Sequence, residues 1–253
     1  WKAMSDSPNE SPFSGLPFFG DMAKAMSSQG PLQWDVARQT AMMTALSGNS
    51  TEPNVDPAAR VGIEQLVPIA DLHVRNHTGL DTASAGKLPQ VVVVNRSMWV
   101  HHTLESYKPL FNELATSLSG SPIVPDSALE SADDQMSNMM SSLNKMMAPA
   151  MMGMSVGSMI GALASHALGQ YEIPLARPHT SEILIVSSSI DAFATEWEIP
   201  KDDLRMWVLI HELSSHAVLA APAITDGLTA LVQAHVSAFR PDPDALMSSL
   251  TDV

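Results

Sequence analysis

Arg205-Met206-Trp207-Val208-Leu209-Ile210-His211-Glu212-Leu213-Ser214-Ser215-His216 is the stretch on which the reading of this chain turns. Pro200-Lys201-Asp202-Asp203 precedes it. A proline at a helix start and acids in the first turn suit the positive end of a helix, and the spacing predicts a helix from about Leu204 to Leu219. In an H-E-x-x-H helix the two histidines lie four residues, or about 40°, apart, so both imidazoles reach one zinc. The glutamate between them takes a proton from the metal-bound water. Here the fourth residue after His211 is Ser215, and the next histidine is His216, five residues on. Five residues are about 140° around a regular helix. A π-bulge would be needed to bring the two imidazoles together, and a serine hydroxyl is a poor zinc ligand beside imidazole. The candidates are Glu212 as general base, with His211 and His216 as metal ligands.

Working outward, Thr225 to Phe239 is amphipathic and helical, and Arg240 to Pro243 ends it. Glu182 to Ser189 (EILIVSSS) and Gln90 to Arg96 (QVVVVNR) read as strands from their β-branched runs. Asp56 and Pro57 look like the cap and first residue of a helix that runs to about His77 and stops at Gly79. Pro31 to Leu46 is a further helix. Arg96-Ser97 opens another through Leu104, with Pro109 to Leu118 as a second helical piece, and Gly120 to Pro125 is a turn-rich break. Met136 to Gly169 is the most apolar part, and Ala148 to Leu168 holds no charged residue over 21 positions. Gly153, Gly157 and Gly161 form a row that lets helices approach closely. Ser155, Ser158, Ser165, His166 and Pro149 weigh against a membrane span, so a buried helix with a glycine face is expected. The fold class is mostly α, in the α+β sense, with a small sheet. A mobile arm over 1–30, with three aromatics between Pro12 and Phe19, leads into one compact domain over 31–253.

At 253 residues the chain is long enough to bury a substantial core. Its 17 methionines and 5% aromatic content imply a core of Leu, Ala, Val and Met. The formal charge of −14 argues against nucleic acid and anionic membranes as partners. With no cysteine, any metal must be held by His, Asp or Glu. Trp1 to Gly20 has one lysine, no apolar run and several Pro and Ser, so no secretory leader is expected and the cytoplasm is the expected location.

Four segments together resemble a bacterial family of zinc-dependent, zincin-like metallopeptidases, often noted in coenzyme F420-producing species. They are Glu52 to Pro57, the helix Ile63 to Val74 with its Ala70-Asp71-Leu72-His73-Val74, Gly161 to Pro174 with its Leu168-Gly169-Gln170-Tyr171-Glu172-Ile173-Pro174, and Trp207 to Leu219. They fall in family order and span most of residues 15–240. The resemblance implies a helical zincin-like domain that hydrolyses peptide bonds with zinc. In the family the last segment reads like H-E-L-T-H-H-A-V. Position by position, His211 matches the first zinc ligand and Glu212 the general base, Ser215 stands in place of the second ligand, and His216 matches an additional, non-ligand histidine. The family is longer, so the domain is expected to lack its C-terminal part, where a further ligand would come from.

Zinc is therefore expected from the resemblance, with its binding weakened or lost through Ser215. The preferred expectation is an inactive or weakened peptidase relative that binds a peptide or protein in the old cleft. The alternatives are a working zinc peptidase and a non-catalytic helical protein that binds a partner through its methionine-rich segment. The remaining histidines carry plainer readings. His73 and His77 are spaced i, i+4 without an adjacent acid. His101 and His102 begin a helix, His235 is a helix-surface residue, and His166 is expected to bond a neighbouring helix or to face His211.

Overall fold

The computed structural model describes residues 30–48, 51–83, 87–119, 134–173, 175, 177–178 and 180–238. The arm expected over 1–30 lies, Gly30 apart, outside the described residues, as does the break expected at Gly120 to Pro125. In chain order the elements are α1 (Trp34–Ala45), α2 (Pro57–Thr78), β1 (Gln90–Val94), α3 (Arg96–Ser119), α4 (Asp134–His166), β2 (Glu182–Val186), α5 (Ser187–Glu196), α6 (Lys201–Leu219) and α7 (Pro222–Ala238). The mostly helical class with a small sheet holds.

The two strands pair in parallel, in register from Gln90 opposite Glu182 to Val94 opposite Val186. A parallel pair needs a long crossover, which α3 and α4 supply. Because side chains alternate along a strand, the sheet feeds two cores. Val91, Val93, Ile183 and Ile185 pack with α2, α5 and α6 on one side. Val94, Leu184 and Val186 join α1, α3 and α4 on the other. At the free edge of β2, Gly169 makes an antiparallel bridge to Ile185, and the Val186 amide donates to the Leu168 carbonyl at 2.9 Å.

The ends of α2 are those expected. The Asp56 carboxylate accepts from the Ala58 amide at 2.9 Å, Pro57 opens the first turn, and Gly79 closes the helix with φ +71°. Helix α3 is one continuous helix rather than two pieces, with Pro109 inside it. Trp99, Leu104, Tyr107, Phe111 and Ala115 lie on both sides of Pro109 and are buried in the same core, so packing carries the helix across the missing N–H. His101 and His102 accordingly lie in its second turn. Its start is closed by Glu52, whose carboxylate accepts from the amides of Arg96 at 3.0 Å and Ser97 at 2.9 Å. The strand expected to run to Ser189 stops at Val186, and Ser187 opens α5. There the Ser189 hydroxyl accepts from Arg96 Nε at 3.2 Å, a bond made from a helical position.

Helix α4 lays its glycine row on α1. A Cβ built on Gly153 would stand 2.6 Å from the Gln33 carbonyl oxygen, and one on Gly161 equally close to that of Ala41. The opposite side of α4 is open: Met147, Met151, Met154 and Met159 are 45–53% exposed. The helix is thus buried on its glycine face and exposed on its methionine face. Among the described residues, Met146–His166 is the one single helix long and apolar enough to cross a membrane.

Replacing Gly157 by valine would drive its side chain into the backbone of Ala37 and the Cβ of Thr40. The expected loss is about 3 kcal/mol of stability, read as a lower urea midpoint by circular dichroism.

Candidate functional site

Helix α6 is regular over its whole length, with no π-turn between His211 and His216. Its apolar side, through Leu204, Val208, Leu209 and Leu213, packs into the core beneath the sheet. That orientation turns Glu212 inward, where it is 2% exposed, and leaves His211 outward with its side chain 48% exposed.

The Glu212 carboxylate is closed over by the segment Leu168 to Glu172. Oε2 accepts from the amides of Gln170 at 2.8 Å and Tyr171 at 3.1 Å, and Oε1 lies 3.3 Å from His211 Nδ1. Gly169 crosses directly on top: a Cβ built there would run into the carboxyl group of Glu212. A buried carboxylate needs such donors, because burial without them costs several kcal/mol. The segment is held from its other sides as well. Trp99 Nε1 donates to the Gly169 carbonyl at 2.6 Å, and Gln170 Oε1 accepts from the Leu184 amide at 3.2 Å. Arg177 Nη1 donates to the Gln170 carbonyl at 3.1 Å. One peptide unit, Gln170–Tyr171, therefore accepts from a guanidinium at its carbonyl and donates to a carboxylate at its N–H. The two ends of a trans peptide point in opposite directions, so it relays an ion pair between Arg177 and Glu212.

His216 is buried and faces another group. Its Nδ1 lies 2.8 Å from the Tyr171 hydroxyl. Burial pushes the Tyr171 hydroxyl up to about 12 and pushes the His216 imidazole below its ordinary value. Both groups are thus neutral, and the bond joins a tyrosine hydroxyl to an uncharged imidazole. His211 stacks on Trp207, with centroids 5.6 Å apart and planes 15° apart. Its bond to Glu212 raises its pKa.

The structure brings His211 and Glu212 together and leaves His216 with Tyr171, on another side of the helix. His166 is exposed at the end of α4 and, among the described residues, bonds no neighbouring helix. His73 and His77 stack on each other at 6.0 Å on the exposed side of α2, and His235 is exposed on α7. Gly169, Gln170, Tyr171 and Arg177 were not singled out from the sequence as site residues. The signal available for the first three was the Leu168-Gly169-Gln170-Tyr171 run, polar and glycine-bearing directly after an apolar helix.

A family model described as zincin-like metallopeptidase matches residues 32–253. A crystal structure of a candidate hydrolase with a novel fold from Chloroflexus aurantiacus is similar, with a TM-score of 0.55 and 18% identity. The similarity covers 82% of this chain and 59% of that one, so the chain spans about three fifths of that protein's length. At this identity the likeness concerns the fold alone. None of the curated proteins matches.

Zinc belongs to related proteins of such a family, and a catalytic zinc takes three protein ligands. Among the described residues, no three of His, Asp and Glu gather as a ligand cluster. Of the three sequence candidates, Glu212 is occupied by backbone amides and His216 by Tyr171, while His211 alone presents a ring to solvent. This donor set does not fit a three-ligand zinc.

Gly169→Ala is expected to displace the Glu212 carboxylate and lose roughly 2–4 kcal/mol. Gly227→Ala on α7, where a Cβ meets nothing within 4 Å, is expected to be neutral or slightly stabilising. Thermal melts of the two variants side by side check this.

Proposed function

Because this chain belongs to the zincin-like metallopeptidase family, we propose that it is a non-hydrolytic or weakened member in which the His-Glu helix has passed from catalysis to structure, acting by binding a peptide or protein. The observation that carries the reading is the state of Glu212. A general base needs an oxygen open to a water and a metal beside it. Here Oε2 is taken by two amides, Gly169 lies against the carboxyl, and the side chain is 2% exposed. Ser215 in place of the second imidazole supports the same reading.

The methionine face of α4 favours the interaction side of this proposal. Four methionines at 45–53% exposure on one helix are an adaptable apolar surface of the kind used in recognition.

Two measurements test the proposal together. Metal analysis by mass spectrometry on untagged protein, beside His211→Ala, is expected to find no stoichiometric zinc in either. Glu212→Gln is expected to lower stability by on the order of 2 kcal/mol, since it weakens charge-assisted bonds to buried amides. A peptidase reading requires the reverse. Near-stoichiometric zinc lost in His211→Ala, with peptide hydrolysis abolished in a Glu212→Gln protein of unchanged stability, would overturn the proposal.

A further inference from the structure

A cavity of about 200 Å³ lies between α3, α7 and the residues Leu175, Arg177 and Pro178. Its walls are largely apolar, with Leu110, Leu175, Leu228 and Val232 among them, and Arg177 lines it. Arg177 is only 6% exposed. Three of its five N–H donors go to neutral oxygens: Nη1 to the Gln170 carbonyl at 3.1 Å, and Nη2 to the His102 carbonyl at 3.3 Å and the Ser106 hydroxyl at 2.9 Å. The guanidinium also lies 5.4 Å from the Tyr107 ring centre. No described carboxylate forms an ion pair with it. Glu212 stands at the far end of the Gln170–Tyr171 peptide, bonded to its N–H and not to the guanidinium.

Burial lowers the guanidinium pKa, yet arginine stays charged in proteins. A buried cation without a counter-charge in contact is unfavourable, and it attracts an anion most strongly where the walls exclude water. We propose that this cavity binds a small apolar monocarboxylate, its carboxylate on Arg177 and its hydrocarbon part against Leu110, Leu228 and Val232. One cation, apolar walls and a chain charge of −14 select a singly charged ligand over phosphates and other polyanions. The volume suits an acid with a branched chain of leucine size. The inference does not depend on the fate of the His-Glu helix, because none of its residues lines the cavity.

The probe is 4-methylpentanoate, titrated into the whole chain by isothermal calorimetry beside its neutral isostere, 4-methylpentanamide. The acid is expected to bind with a dissociation constant of about 1 mM or tighter, and the amide at least about tenfold more weakly. Leu228→Trp fills the cavity from α7 without touching the bonds of Arg177. It is expected to remove acid binding while leaving the melting temperature unchanged. Equal binding of acid and amide, acid binding that survives Leu228→Trp, or no acid binding by the folded wild type at about 10 mM would each overturn the assignment.

Discussion

The Glu212 carboxylate, held under the amides of Gln170 and Tyr171, is the constraint on which the middle of the molecule depends. A charged group at 2% exposure is tolerated only when its lone pairs are met. Here they are met by backbone, so the segment that supplies the amides has one permitted position. That segment is also the added edge of the sheet through Gly169 and Leu168, the acceptor for Trp99 of α3, and the acceptor for Arg177. One carboxylate thereby fixes α6 against β2 and α3, and the crossover from α4 back to the sheet is pinned where it passes.

The same economy explains the division of the core. A two-stranded sheet is too small to stand alone, and this one survives because both faces are covered. The alternation along β1 and β2 divides four adjacent residues of each strand between two helical cores. Helix α4 contributes to one of them through Val156, Ile160 and Ala164 as well as through glycine. Its row of Gly153, Gly157 and Gly161 brings its backbone onto α1, and Met147, Met151, Met154 and Met159 stay on the exposed side. High hydropathy in this helix is therefore a property of two faces with different tasks.

Local signals in the sequence located the elements whose physics is local. Asp56, Pro57 and Gly79 define α2 by capping chemistry, and the valine run defines β1. The His-Glu helix follows from its apolar spacing and acidic first turn. The signals failed where a distant partner decides. The strand expected through Ser189 ends at Val186, and from the helix that follows Ser189 meets Arg96, 93 residues earlier. Pro109 does not split α3 because the core on both sides of it is continuous. The role of Glu52 is invisible locally, since the amides it caps stand 44 and 45 residues away. For the candidate site, the residue types at 211, 212 and 216 were legible and their surroundings were not. The amides that engage Glu212 come from a segment 41 and 42 residues earlier, and no periodicity reports such a pairing.

The separation between His211 and His216 then has a structural meaning of its own. On a regular helix an i, i+5 pair diverges by about 140°, so a helix that carries this spacing cannot aim both rings at one ion. It can aim them at two different neighbours. His216 turns inward to the Tyr171 hydroxyl at 2.8 Å, and His211 turns outward onto Trp207. Glu212 lies between them and holds the amide of the same tyrosine that His216 holds by its hydroxyl. Tyr171 is thus fixed at both ends by one helix, one turn apart. His216 makes that second contact from its own position, one turn after Glu212, and the serine at 215 takes no part in it.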